Sequence, residues 1–128
     1  MKLNVIISAG EFLDKISILE IKSLKIKDPE KIKNIKKELE LLQLIASEKL
    51  SDYKKLNQRL LELKAVNSKL WEIEDDIRIK ESKKEFDEEF IRLARAVYVT
   101  NDERFEVKNL INTELGSLVK EEKGYEKY

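Results

Sequence analysis

The chain has 128 residues, with 26 basic and 26 acidic side chains, a formal charge of zero, and neither histidine nor cysteine. That inventory excludes thiol nucleophiles, Ser-His-Asp chemistry, zinc fingers and haem ligation, and leaves only carboxylates to hold a hard cation. Without a surplus of Lys and Arg no nucleic-acid partner is expected, and no apolar run approaches the ~20 residues of a membrane span.

Residues 1–8 are β-branched and strand-like (Leu3, Val5, Ile6, Ile7), too short for a signal peptide, so a cytoplasmic protein is expected. A lone strand cannot satisfy its own backbone, so this extended segment lies across helix ends or pairs with a second copy. Ser8-Ala-Gly-Glu11 reads as a capping box opening the first helix. Phe12, Ile16 and Leu19 form its apolar stripe, widened by Leu13, Ile21 and Leu24. Asp28-Pro29 ends that helix and starts the next, Asp as cap and Pro at the first helical position.

From Pro29 a seven-residue pattern runs through Ile32, Ile35, Leu39, Leu42 and Ala46, is broken at Lys49, and resumes at Tyr53, Leu56, Leu60 and Leu63. One long helix and a hairpin turning near Ser51 both fit; the turn is preferred because two antiparallel helices cover each other's stripe. Glu81 to Glu85 is polar and reads as a connection. The last helix starts near Asp87, with Phe90, Ile91, Ala94, Val97, Tyr98, Phe105, Ile111 and Leu115 on its buried side. Thr100-Asn-Asp-Glu103 could cap a break within it, and Gly116 is a natural stop before a partly ordered tail, 117–128. The expected fold is therefore one all-α domain over 1–128, an antiparallel bundle of three to four helices with coiled-coil-like packing.

Polar residues on the helical seams carry the functional argument. With a turn near Lys84, antiparallel pairing sets Glu74 and Asp75 opposite Ala94 and Arg95, Trp71 near Tyr98, and Asn67 near Asn101 and Asp102. Asn67 and Glu74 stand where Leu or Ile belongs, as do Asn101, Arg104, Lys108 and Asn112 on the last helix, with Asp75 and Arg78 alongside. Buried charge is costly unless paired, so these groups meet one another, water or a ligand. Three readings follow. The seam can fix helix register and oligomeric state, the preferred reading. It can form an anion site, with Arg78, Arg95, Arg104, Lys108, Asn67 and Asn101 as donors and Trp71 and Tyr98 as walls. Least favoured is a carboxylate metal site from Glu74, Asp75 and Glu81. No metal and no cofactor are expected.

Ser8 to Lys22 (SAGEFLDKISILEIK), Asn67 to Arg78 (NSKLWEIEDDIR), Leu93 to Tyr98 (LARAVY) and Asn101 to Arg104 (NDER) are specific strings, as are Ile111-Asn112 and Gly116-Ser117 with Glu121 to Tyr125. Together they resemble a bacterial family of short all-helical proteins known only as a domain of unknown function. The family usually has Pro where this chain has Ala9, which bears on the rigidity of the helix entry. The resemblance brings no activity, cofactor or catalytic residue. The functional expectation is a non-enzymatic interaction or scaffold module, homodimeric through the N-terminal segment and the first helix's stripe. The alternative is a binding protein or enzyme for a small anionic metabolite, phosphorylated or sugar-linked, at a polar cleft between the last two helices.

Overall fold

The computed structural model describes residues 1–128 and contains four α-helices and no strand. Local signals set most of the boundaries. Ser8 caps α1 (Ala9–Lys25), its hydroxyl accepting the Glu11 N–H at 3.1 Å. The reciprocal half of the capping box is not made, because the Glu11 carboxylate turns instead to Lys108. Asp28 caps α2 (Pro29–Lys49), with Pro at the helix start. Leu50 to Lys55 then turns the chain, so no single long helix forms, but the expected covering of one stripe by the other fails: α2 makes no helix contact with α3 (Leu56–Ser82). The cap of α3 is Lys55 without a side-chain hydrogen bond, so Ser51-Asp52 belongs to the turn and not to a helix start. Lys84, at φ 55°, completes the next turn, and Asp87 caps α4 (Glu88–Leu115) through the Phe90 N–H. α4 runs unbroken through Thr100 to Glu103, where the sequence allowed a kink, and ends on left-handed Gly116.

α1 is the central element. It packs against all three other helices, α3 and α4 pair with each other, and α2 rests on α1 alone. Leu13, Ile16, Ala46, Leu63 and Ile111 form the core, flanked by Phe12, Leu39, Leu42, Leu60 and Val107. α1 meets α4 closely at Gly10, where an added Cβ would come within 2.4 Å of the Lys108 carbonyl oxygen. At 1.5 Å per residue, α3 and α4 are each about 40 Å long and α1 about 25 Å, so the α3/α4 pair projects beyond the end of α1. Three residues expected on buried stripes are instead exposed. Leu24, near the end of α1, is 72 % exposed, and Ile91 and Tyr98, one above the other on the outer side of α4, are also exposed. Leu3, Val5 and Ile6 stand in solvent with no strand partner. The stripe of α1, by contrast, is covered within the chain, which removes one of the two grounds for expecting a dimer. No helix is long and apolar enough to cross a membrane.

A candidate polar cleft between three helices

Asp14 lies on α1 one turn after Gly10, on the face that meets α3 and α4, and is 1 % exposed. A buried carboxylate must be paired and hydrogen-bonded. Arg104 supplies the charge: its Nε lies 3.0 and 3.2 Å from the two Asp14 oxygens, and its Nη2 donates to Oδ2. Asn67 supplies the rest. Its Nδ2 donates to Asp14 Oδ1 at 2.8 Å and to Ser17 Oγ at 2.9 Å, and the Ser17 hydroxyl donates to the Asp14 carbonyl at 2.7 Å. The Asp14 carboxylate holds the Arg104 guanidinium above its ordinary pKa. Ser17 is spent on these bonds and is no free nucleophile.

This network is the floor of an open cleft of about 460 Å³ between α1, α3 and α4. Ile18, Ile21, Leu70 and Trp71 make its apolar walls, and Lys22, Glu74, Asp75 and Asn101 its polar rim. Because Asp14 only accepts, the Asn67 amide is fixed with its nitrogen on the carboxylate and its Oδ1 left over. Arg104 spends Nε and Nη2 on Asp14, leaving Nη1, and the Trp71 indole and the Asn101 amide line the same cleft. The cleft thus offers donors and acceptors together beside one aromatic face.

Of the residues expected to converge, Asn67, Trp71, Glu74, Asp75, Asn101 and Arg104 do so. The others are displaced, each for a reason. Arg78 shares the Asn67 face of α3 but sits on the overhang beyond α1, where its side chain is 78 % exposed and pairs with Glu74 at 3.5 Å. Arg95 is exposed and does not meet Glu74 or Asp75: nine residues, at about 100° each, put it on the opposite side of α4 from Arg104. Tyr98 faces a neighbouring hollow of about 670 Å³ under the C-terminal tail, not Trp71, and Asp102 lines the same hollow. The Tyr128 ring meets Tyr98 edge to face at 5.1 Å, and Lys123 lies over the Phe105 ring. Lys108 is buried under the same tail between Glu11 at 2.7 Å and Glu121 at 2.9 Å. Burial works against its charge, but the two carboxylates outweigh burial and raise its pKa.

Each cation expected to attract an anion is therefore compensated or outside the cleft. Glu74, Asp75 and Glu81 do not converge either; nowhere do three carboxylates come together in a way that could hold a metal ion. Sequence reasoning missed Asp14 and Ser17. The signal was present: both fall at helical spacing between Gly10 and Ile21, on the stripe from which only the apolar members were counted.

A second buried cluster closes the base of the α3/α4 pair. Arg59 Nε and Nη2 grip the two oxygens of Glu114 at 2.8 and 2.9 Å, and its Nη1 takes Glu62. Tyr53 donates to Glu114 at 2.6 Å, and Lys55 pairs with it at 3.1 Å. Hydrogen bonds from Arg59 and then Tyr53 hold the Glu114 carboxyl far below the usual carboxylate range. Burial, with the nearby carboxylate, pushes the Tyr53 phenol up to about 12.

No curated protein and no solved structure matches this chain. The family comparison does find a match, and it covers residues 1–128. The chain accordingly belongs to a family of unknown function, DUF6165.

Proposed function

We propose that the chain is a small helical binding protein whose α1/α3/α4 cleft takes a polyhydroxylated ligand of the chemistry of a sugar. The observation that carries this reading is the Asn67 amide, locked by Asp14 with its acceptor free beside the Trp71 ring. Hydroxyl groups both donate and accept, so they suit a rim that mixes Asn67, Asn101 and Arg104 with Glu74 and Asp75. A sugar also has an apolar face to lay on an indole. The charge count favours a neutral ligand: among the lining residues Lys22 and Arg104 balance Glu74 and Asp75.

Trp71 is the chain's one tryptophan, so its fluorescence reports on the cleft directly. Titration with a panel of neutral mono- and disaccharides and their phosphorylated counterparts is expected to shift that emission at millimolar or lower sugar. Absence of any response overturns the reading. Tighter binding of a sugar phosphate than of its neutral parent overturns the neutral class and restores the anionic ligand. A second reading, a non-enzymatic interaction module that self-associates, is favoured by the aliphatic surface left uncovered, notably Leu41, Leu44 and Ile45 on α2.

A further inference from the structure

α2 carries an apolar seam on one side and, on the other, a short aliphatic patch flanked by charge. The seam, Ile32, Ile35, Leu39, Leu42 and Ala46, packs on α1. On the opposite side Asn34, Lys37, Leu41, Leu44 and Glu48 repeat the same alternating spacing of three and four residues. No element of the chain covers that outer side: Leu41 and Leu44 are each 56 % exposed and Ile45 is 45 % exposed. Lys37 stands one turn before Leu41 and Glu48 one turn after Leu44, and neither has an ion partner within the chain. Glu38, next to Lys37, is by contrast bound to Lys15 of α1 at 3.1 Å.

The pattern is self-complementary under a two-fold axis. In an antiparallel pair of α2 helices centred between Leu41 and Leu44, Leu41 faces the second copy's Leu44 and Lys37 faces its Glu48, each twice. A slip of one heptad keeps the same faces together but sets Leu41 against Lys37 or Leu44 against Glu48, so the ion pairs favour one register. We infer that the outer side of α2 is a docking surface for a second copy of this chain, antiparallel, in the register that joins Lys37 to Glu48. This rests on the second reading above, self-association, and names its face and geometry. The apolar area is small, so the dimer should be weak, with a dissociation constant on the order of 100 µM.

Sedimentation equilibrium on the full chain tests it, with Lys37→Glu, Glu48→Lys and the double variant. These side chains are exposed, so the fold is untouched, which circular dichroism verifies. Each single reversal places like charges opposite each other twice and should weaken the dimer about tenfold. The double reversal should return it to the unmodified value. A chain that stays monomeric at about 1 mM overturns self-association altogether. A dimer indifferent to the single reversals, or not restored by the double one, overturns the α2 register while leaving self-association standing.

Discussion

Two arginine–carboxylate clusters tie the helices together, and they are finished differently. At the base of the α3/α4 pair, Arg59 uses all three guanidinium nitrogens on Glu114 and Glu62, and Tyr53 and Lys55 add to the same carboxylate. That cluster is saturated and has a structural role only. At mid-height, Asp14 is deeper, yet Arg104 and Asn67 satisfy it with only part of their capacity and turn the remainder toward an open cleft. Burial alone does not separate a scaffold from a site. Leftover hydrogen-bonding capacity is what makes the mid-height cluster the candidate.

The largest expected effect tests that contrast directly. Arg104→Ala strands an Asp14 that is 1 % exposed, at a cost of about 3–5 kcal/mol in urea denaturation. Arg59→Ala should cost less, because Glu114 keeps Tyr53 and Lys55. Equal losses would erase the distinction between the clusters. Next comes acid. Glu114 titrates in the folded chain far below its ordinary 4.5, so its stabilisation is complete above that ordinary value and is lost as pH falls toward the folded one. Glu114→Gln should therefore flatten the decline in melting temperature between about pH 5 and pH 2; an unchanged decline would show that other carboxylates govern acid unfolding. The smallest effect sharpens the other side of the comparison. Asn101→Ala removes an amide that the fold does not use, so stability should move by less than about 0.5 kcal/mol. The sugar-induced change in Trp71 emission should nevertheless weaken; an unaltered titration would remove Asn101 from the cleft's working surface.

The fold was largely legible because its boundaries are local. Ser8, Asp28, Asp87 and Gly116 cap or stop helices through neighbours within a few residues, and the heptad phase marked the inner face of α2. The candidate site was legible only in part. Asn67, Trp71, Glu74, Asp75, Asn101 and Arg104 were found because antiparallel pairing of α3 and α4 is fixed by their short connection. Arg78 was misplaced because α1 is shorter than the pair it fills, and no sequence period shows where a third helix stops; Arg95 was misplaced against the helical period itself, which sets it on the far side of α4 from Arg104. Asp14 escaped because the partner that explains it lies 90 residues away. Ion pairs of that reach follow from how helices stack, which the α3/α4 pairing alone did not contain.

The same separation has a bearing on synthesis. α1 emerges first but is finished last: its acid waits for Arg104, and the α1 backbone N–H of Gly10 waits for Asn112 at 2.6 Å. At roughly 5–20 residues per second, a ribosome needs about 5–20 s to make the intervening chain. Until α3 follows, only α2 is available to shield the apolar stripe of α1. A helix that rests on α1 and nothing else is suited to that duty, as a temporary partner on the nascent chain that stays in place once α3 and α4 arrive.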